Sequence, residues 1–334
     1  MRAPYPKILV LELGADHPGD IAALVELVAP RVGVVTTVGP AHLEFFETQD
    51  AVAREKAALV ARLPGHGIAV LNADDRLVAE MRRRTHARVI TYGFAPNADV
   101  RASDLAYLGP AAGEGVGGGM RCTVSAGQET ATLQLPKVLG RHLVTTVLSA
   151  LAVGVAYDLT LAEAAASLAA WEPLPGRMRV VAGIKGTTVI DDTYNSSPLA
   201  AHAAVQVLHD LPSGEHRKFA VLGDMLELGA ASEAAHRELG EAVAASGTDE
   251  LICVGELARD IDRGAQAAGM SADHCYQFAD AAAAGVFLQG RLSSGDIIPV
   301  KGSQGVRLER VVKELMADTQ RANEMLVRQG REWE

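Results

Sequence analysis

Three polar loops in the second half of the sequence each follow an apolar run that reads as a β-strand. DDTYNSSP (191–198) follows the run 187–190, GDMLELG (223–229) follows 218–222, and KGS (301–303) follows 296–300. The carboxyl ends of parallel strands meet at one edge of a sheet, where ligands of open α/β sheets bind. The pattern therefore predicts that the polar groups of the three loops converge on one ligand site.

Acidic and imidazole side chains in the first half could bind a divalent metal. Glu12 ends the apolar run 7–13, and a carboxylate at the end of a strand can bind Mg²⁺ directly or through water. An acid exposed to solvent at a strand end has the same spacing. His42 and Glu44 follow a second apolar run, 32–38, although a single histidine is often explained by packing or surface position. Both interpretations stay open on the residues alone.

Lys56 lies within AVAREKAAL (51–59), beside the apolar face of a predicted helix. A lysine in such a position usually extends its ammonium group to solvent. A desolvated lysine would instead have a lowered pKa and could be chemically modified. The spacing alone does not decide between the two.

Strands and helices alternate along most of the chain, which predicts an α/β protein with parallel sheets. In the first half we predict strands at 7–13, 31–38, 67–72 and 88–93, and helices at 20–28 and 48–63. The stretch 97–135 reads as an antiparallel β excursion with a Gly-rich break at 113–119, where no strand and helix flank the glycines as phosphate binding requires. Two Ala- and Leu-rich helices follow, at 140–157 and 161–171.

The turn Pro173-Leu174-Pro175-Gly176 is the best candidate for a linker, because a helix cannot continue through it. We therefore predict two domains, 1–174 and 175–334. In the second, strands at 187–190, 218–222, 250–254 and 296–300 alternate with helices at 199–208, 232–245 and 279–289.

Composition narrows the class of protein. The chain has 334 residues, 49% of them hydrophobic, which is enough to form two cores. A formal charge of −10 argues against a nucleic-acid partner, since phosphate-backbone binding needs a basic surface. The three cysteines are far apart in sequence and suggest neither a disulfide framework nor a zinc site. No apolar run approaches a membrane span, so we predict a cytoplasmic protein.

Several segments together resemble the Mur ligase family. ELGADHPGDI (12–21), VGPAHLEFF (38–46), REKAAL (54–59) and LNADD (71–75) look like its central domain. PLPGRM (173–178), DDTYNSSP (191–198), VLGDMLELG (221–229) and VKGSQGVRLERVV (300–312) resemble the branch of the family that adds D-alanyl-D-alanine. The resemblance implies a central ATPase-type domain, with a mostly parallel sheet and a β excursion, followed by a Rossmann-like C-terminal domain.

The resemblance also implies roles for residues at matching positions. Glu12 and His42 match magnesium ligands, and Lys56 matches a lysine that the family carbamylates. Carbamylation turns an ammonium into a carboxylate-like group that can organise a second Mg²⁺. Arg177 matches an arginine that reaches the phosphates of the nucleotide, and Asp192 matches an acid near its ribose.

The remaining implied roles concern the same nucleotide and the substrates that are joined. Tyr194 and Asn195 would line the nucleotide loop, with Asn72 also near the nucleotide. The residues expected to face the peptide and the incoming dipeptide are Asp224, Glu227, Lys301 and Ser303. The implied reaction is ATP-driven amide formation between UDP-N-acetylmuramoyl-tripeptide and D-alanyl-D-alanine, with Mg²⁺ as cofactor. The charge and the lack of a long apolar heptad repeat permit a monomer.

The sequence departs from the family pattern in two places. No G-x-x-x-x-G-K-[ST] sequence occurs, so the loop that would bind the phosphates of ATP is missing, as is the UDP-binding N-terminal domain. We therefore expect a truncated central domain and a fragment that is inactive alone. In GRHLVTTVL (140–148), Leu143 and Thr146 replace two asparagines, one of which contacts adenine in the family. The alternatives are a non-catalytic relative that binds peptidoglycan precursors, or another amide ligase such as folylpolyglutamate synthase.

Overall fold

The computed structural model describes residues 6–39, 43–108, 118–212, 216–330 and 333, with the backbone alone at 43 and 44. The chain divides into two compact units, Met1–Asp99 and Val100–Glu334. This division lies within the predicted first domain, at the start of the β excursion.

The first unit is built on three parallel strands in sequence order, β1 (Val32–Val35), β2 (Ile68–Asn72) and β3 (Arg88–Gly93). Its helices are α1 (Asp20–Val28), α2 (Leu43–Phe46), α3 (Gln49–Ala61) and α4 (Arg76–Glu80). Helix α3 begins where the Thr48 side chain accepts a hydrogen bond from the Ala51 N–H. Val60, Ala69, Leu71 and Val78 are among the buried side chains that join the helices to the strands.

The strand predicted at 7–13 is wrong. These residues form no strand, and the side chains of Ile8, Leu9 and Val10 are 60%, 63% and 88% exposed. A β-strand needs a neighbour that accepts its backbone hydrogen bonds, so an apolar, β-branched sequence alone does not produce one. In the described part of this unit, β1 pairs with β2 and no strand pairs with 7–13.

The second unit begins with the predicted antiparallel excursion, which is confirmed. Strands β4 (Val100–Tyr107), β5 (Met120–Ala126) and β6 (Glu129–Leu135) pair in sequence order. Of the predicted Gly-rich break at 113–119, residues 113–117 lie outside the described residues. Helices α5 (Arg141–Ala156) and α6 (Leu161–Leu168) follow, and a capping box of Thr160 and Glu163 starts α6.

The rest of the second unit is a sheet with helices on both faces, which confirms the Rossmann-like prediction. Its strands are β7 (Arg179–Ala182), β8 (Thr188–Asp192), β9 (Phe219–Gly223), β10 (Glu250–Val254), β11 (Cys275–Phe278) and β12 (Ile297–Lys301). Their order is β11-β10-β9-β12-β8-β7, and only β7 is antiparallel to its neighbour. Its helices are α7 (Pro198–Asp210), α8 (Ser232–Ala245), α9 (Arg259–Ala267), α10 (Ala281–Arg291), α11 (Glu309–Leu315) and α12 (Ala322–Met325).

Alternate residues of the central strands pack into two hydrophobic cores, one on each face of the sheet. In β9, Ala220 and Leu222 pack with α7, α8 and α9, whereas Phe219 and Val221 pack with α10 and α11 on the other face. This two-residue period is what a strand covered on both faces requires. The four inner strands β8, β9, β10 and β12 are therefore buried along their whole length, and their polar side chains are confined to the strand ends.

Helices α8 and α9 cross unusually closely because each has a glycine at the contact. A Cβ atom on Gly240 would lie 1.9 Å from the carbonyl oxygen of Ile261, and one on Gly264 would lie 2.1 Å from that of Arg237. No side chain fits in either place. Within the described residues, no helix is long and apolar enough to span a membrane.

Candidate functional site

Strands β8 and β12 are neighbours in the sheet formed by β7 to β12, so the two predicted loops that follow them begin side by side. Lys301 is aligned with Asp192 across the pair, and its Nζ lies 2.7 Å from Asp192 Oδ2. The Lys301 ammonium also donates to the Asn195 carbonyl oxygen at 3.0 Å. The two side chains are 3% and 13% exposed, so this ion pair is shielded from solvent. Each of the two buried charges is stabilised by the opposite charge of its partner.

A second carboxylate holds the neighbouring turn of the chain. Asp191 is fully buried and accepts hydrogen bonds from the Gly176 N–H at 2.9 Å and from the Thr193 hydroxyl at 2.6 Å. Gly176 has φ +71, and a Cβ there would lie 2.9 Å from the Tyr194 nitrogen. The Tyr194 N–H in turn donates to the Gly176 carbonyl oxygen at 2.9 Å. These bonds fix the 176–178 turn against the 191–196 loop.

The stability of the second unit should depend on pH through Asp191. Burial raises its pKa from 3.8 to about 6, although its hydrogen bonds favour the charged form. The protonated acid therefore stabilises the fold fully below pH 3.8, and this contribution is lost as the pH rises through about 6. A shift of about two pH units corresponds to about 3 kcal/mol.

We expect the stability difference between the wild type and Asp191→Asn to move by about 3 kcal/mol in favour of the variant between pH 4 and 7.5. Urea unfolding followed by tryptophan fluorescence measures this, because both tryptophans, Trp171 and Trp333, belong to the second unit. A stability difference that does not vary with pH would contradict the assignment.

The two loops border a cavity of about 300 Å³. The Tyr194 side chain is 43% exposed, and the guanidinium carbon of Arg177 lies 4.1 Å from the centre of its ring, a cation–π contact. Predicted site residues that line the cavity are Arg177, Asp192, Tyr194, Asn195 and Lys301. The cavity thus combines a planar aromatic ring, a guanidinium group and a neutralised ion pair, a combination suited to a ligand with both a ring and anionic groups.

His142 and Leu143, at the start of α5, line the same cavity. We did not predict a role for His142 from the sequence. Burial lowers its pKa, and the positive charge of Lys301 lowers it further against the opposing effect of Asp192, so the imidazole is neutral at pH 7. Its position depends on Gly140, which has φ +86 and whose Cβ would lie 3.0 Å from the ring. The Gly-x-His spacing at a predicted helix start was the available signal.

Two other predicted residues, Asp224 and Ser303, hold loops together at the same edge of the sheet. Asp224 Oδ1 accepts the Ala258 N–H at 2.7 Å, and the Asp224 carbonyl oxygen accepts the Ser303 N–H at 2.9 Å. Ser303 Oγ accepts the Leu226 N–H at 2.9 Å. Glu227 is exposed, with φ +63. Asp224, Glu227 and Ser303 are not among the described residues that line the cavity, and their contact with substrate stays a prediction.

In the first unit, Lys56 and Asn72 lie at the carboxyl ends of the parallel strands. The Lys56 ammonium donates to the Thr37 carbonyl oxygen at 2.8 Å, and burial lowers its pKa against the opposing charge of Asp75. Asn72 is 7% exposed and donates to the Thr36 carbonyl oxygen at 2.8 Å. Lys56 is therefore held by a backbone carbonyl in a partly desolvated position, unlike a lysine that extends freely into solvent.

Of the predicted magnesium ligands Glu12 and His42, the structure describes only Glu12. Glu12 is exposed on the segment that does not form a strand, and His42 lies outside the described residues. The side chain of Glu44 is also outside them. Across the described part of the chain, no group of three or more His, Cys, Asp or Glu side chains could hold a metal ion.

Comparison with known protein families gives a match for each of two long segments of the chain. Residues 1–154 match the Mur ligase middle domain, and residues 176–304 match the Mur ligase glutamate ligase domain. A crystal structure of MurF ligase from Thermotoga maritima in complex with ADP superimposes with a TM-score of 0.78, at 30% sequence identity over 96% of this chain and 69% of that one. The chain belongs to the Mur ligase family.

Within the Mur ligases, the predicted similarity to the D-alanyl-D-alanine-adding branch is confirmed. The UDP-N-acetylmuramoyl-tripeptide–D-alanyl-D-alanine ligase of Mycobacterium bovis is 36% identical over 328 residues, which cover 93% of this chain. A MurF structure from Acinetobacter baumannii, at 27% identity, superimposes with a TM-score of 0.78 over 92% of this chain. This Mur ligase chain spans 62% of the length of the M. bovis relative.

Proposed function

We propose that this chain carries the central and C-terminal parts of an ATP-dependent ligase that adds D-alanyl-D-alanine to UDP-N-acetylmuramoyl-tripeptide. The observation that supports it best is the cavity of the second unit, where Arg177, Tyr194, Asn195 and the Lys301–Asp192 pair meet. Relatives named for this reaction match along most of the chain. We further propose that the protein works as a monomer in the cytoplasm, where nucleotide-linked precursors are made.

In this proposal the cavity binds the nucleotide. Arg177 supplies a positive charge for the phosphates, and Asp192 accepts a hydrogen bond from a ribose hydroxyl with a lone pair that Lys301 and the Met178 N–H leave available. Tyr194 and Asn195 border the ligand, and we propose for Asn72 the nucleotide-binding role that the resemblance implies. Asp224, Glu227, Lys301 and Ser303 would face the peptide and the incoming dipeptide from the loops that carry them.

The proposed chemistry has two steps. A carboxylate oxygen of the tripeptide attacks the γ-phosphorus of ATP, so that the bond to the β-phosphate oxygen breaks and ADP leaves, giving an acyl phosphate. The amine nitrogen of D-alanyl-D-alanine then attacks the acyl carbon, inorganic phosphate leaves, and the nitrogen loses a proton. The protein contributes positioning and neutralisation of negative charge in both steps.

We propose that Glu12, His42 and Lys56 hold Mg²⁺, with Lys56 carbamylated. The structure around Lys56 suits this modification, because burial lowers the pKa of the amine and only the neutral amine reacts with carbon dioxide. Bound Mg²⁺ would neutralise charge on the transferring phosphoryl group. The chain's own part is to present oxygen and nitrogen ligands and to keep Lys56 beside the end of β1.

We expect no turnover from these 334 residues alone, since they contain no G-x-x-x-x-G-K-[ST] sequence. The test is ATP-dependent phosphate release with UDP-N-acetylmuramoyl-tripeptide, D-alanyl-D-alanine and Mg²⁺. It compares this chain with a version that carries the phosphate-binding loop and N-terminal domain of a relative at its N-terminus. Turnover by the extended version alone supports the proposal, and turnover by the chain alone would refute the need for that loop.

A second candidate function is binding of peptidoglycan precursors without catalysis. The observation in its favour is Leu143, which lines the cavity and packs against the core where the family has an asparagine. If neither version releases phosphate but the chain binds UDP-N-acetylmuramoyl-tripeptide in calorimetry, this second function replaces the first.

A further inference from the structure

A buried carboxylate near the C-terminus joins two arginines from different parts of the chain. Glu309, the first residue of α11, is fully buried. Its Oε1 accepts the Arg307 Nε–H at 2.5 Å, and its Oε2 lies 3.0 Å from a terminal nitrogen of Arg328. The Arg328 side chain is 5% exposed. The two oxygens of one buried carboxylate bind one guanidinium group each, so Glu309 restrains both chain segments that carry the arginines.

Arg328 uses its remaining N–H groups on the loop that borders the cavity. One terminal nitrogen donates to the Thr193 carbonyl oxygen at 3.1 Å, and the other donates to the carbonyl oxygen of Tyr194. These two residues directly follow Asp192 in sequence, and Asn195 accepts the hydrogen bond from Lys301. The guanidinium group therefore binds the backbone of the site loop while Glu309 binds the guanidinium group.

The residues around Arg328 pack against the same part of the site. We name residues 326–330 together with Trp333 the strap. Leu326 belongs to the hydrophobic core, and a Cβ on Gly176 would lie 3.1 Å from the Val327 side chain. The Trp333 ring centre lies 5.4 Å from the guanidinium carbon of Arg307 and 6.0 Å from that of Arg328. The strap thus contacts both the 176–178 turn and the 193–194 backbone.

We propose that Arg328 is a positioning residue and that the strap sets the conformation of the 192–196 loop for ligand binding. The inference rests on the proposed function for the identity of the ligand, a nucleoside diphosphate or triphosphate. The claim that the strap holds the loop does not depend on the proposed function. Arg328 touches the backbone of the loop and acts on the ligand through Tyr194 and Asn195.

Hydrogen exchange of the site loop tests the first part of the proposal. The Tyr194 N–H is bonded to the Gly176 carbonyl oxygen, so its exchange with deuterium reports on the contact between loop and turn. In Arg328→Met we expect peptides covering 191–197 to exchange about tenfold faster, while strands β9 and β10 keep their protection. Arg321→Met is the matched control, since Arg321 pairs with Glu324 on the surface and both side chains are more than half exposed.

Unchanged exchange in 191–197 of Arg328→Met would overturn the proposal. Should that variant lose protection across the whole unit, Arg328→Lys decides instead, because lysine keeps the charge beside Glu309 but lacks the planar fork of N–H groups that reaches Glu309 and both carbonyl oxygens at once. Faster exchange confined to 191–197 then supports the strap, and equally faster exchange everywhere refutes it.

Calorimetry with ADP and Mg²⁺ tests the link to binding. We expect affinity about tenfold weaker in Arg328→Met, a smaller loss in Arg328→Lys, and none in Arg321→Met. Unchanged affinity despite a loosened loop would refute the positioning role. If neither the wild type nor the version extended with a phosphate-binding loop takes up ADP, the nucleotide part of the proposed function fails, whereas the exchange result still decides whether the strap holds the loop.

Discussion

Replacing Lys301 with methionine is expected to lower the free energy of unfolding of the second unit by about 3–5 kcal/mol. The substitution leaves Asp192 as a buried carboxylate that has lost its cation, whereas methionine fills most of the volume of the lysine side chain. The Lys301 ammonium also donates a hydrogen bond to the Asn195 carbonyl oxygen, so the substitution removes the donor of this acceptor as well. Urea unfolding at pH 7, followed by tryptophan fluorescence, gives the difference.

Lys137→Met is the matched control for this experiment. Lys137 pairs with Glu172 at 2.8 Å, nearly the same separation, but its side chain is 61% exposed. Its loss should lower the free energy of unfolding by less than about 1 kcal/mol. The double variant Lys301→Met with Asp192→Asn should recover at least about 2 kcal/mol, because no buried charge then remains unpaired. Equal losses from the two lysines would show that the buried pair is not what stabilises this edge of the sheet.

Gly240→Ala is expected to destabilise the second unit by about 3 kcal/mol or more, although it adds only a methyl group. That methyl group would occupy the place where the Ile261 carbonyl oxygen lies, 1.9 Å away, so α8 and α9 would have to separate. Their facing side chains would then lose packing contact over the whole length of the crossing. The measurement is the same fluorescence-detected urea transition.

Gly290→Ala should have the opposite sign. Gly290 lies in the last turn of α10, and a Cβ there meets no atom within 4 Å. Alanine should stabilise this helix by up to about 1 kcal/mol, because it removes the entropic penalty of glycine without creating a clash. If both variants changed the stability alike, helix propensity rather than the close crossing would explain the effect of Gly240.

The sequence predicted the site best where polar residues follow strands. The loops after β8 and β12 were identified in advance, and the rule that ligands bind at carboxyl strand ends placed Asp192, Asn195 and Lys301 on one edge. Which strands are neighbours could not be read from the sequence, because the helices α7 to α10 and the strands β9 to β11 lie between β8 and β12 along the chain. The direct pairing of Lys301 with Asp192 follows only from that strand order.

Other features were predicted wrongly or missed, and the physical reasons can be identified. The run 7–13 has the composition of a strand, yet strand formation depends on a partner that local sequence does not encode. Strands β7 and β11 went unpredicted because each has four residues at an edge of the sheet and is only partly buried. His142 was not predicted because the Gly-x-His spacing at a helix start does not show which cavity the side chain lines, and that depends on how α5 packs.

The strand order also determines when the site can form as the chain is synthesised. Asp192 and Lys301 are 109 residues apart, and β12 lies between β8 and β9, so the middle of the sheet stays open until the last strand is inserted. A ribosome must therefore have synthesised the chain beyond Lys301 before the cavity exists. Until then β8 and β9 present unpaired edges, which makes this interval the period of greatest risk of aggregation and of greatest need for chaperones.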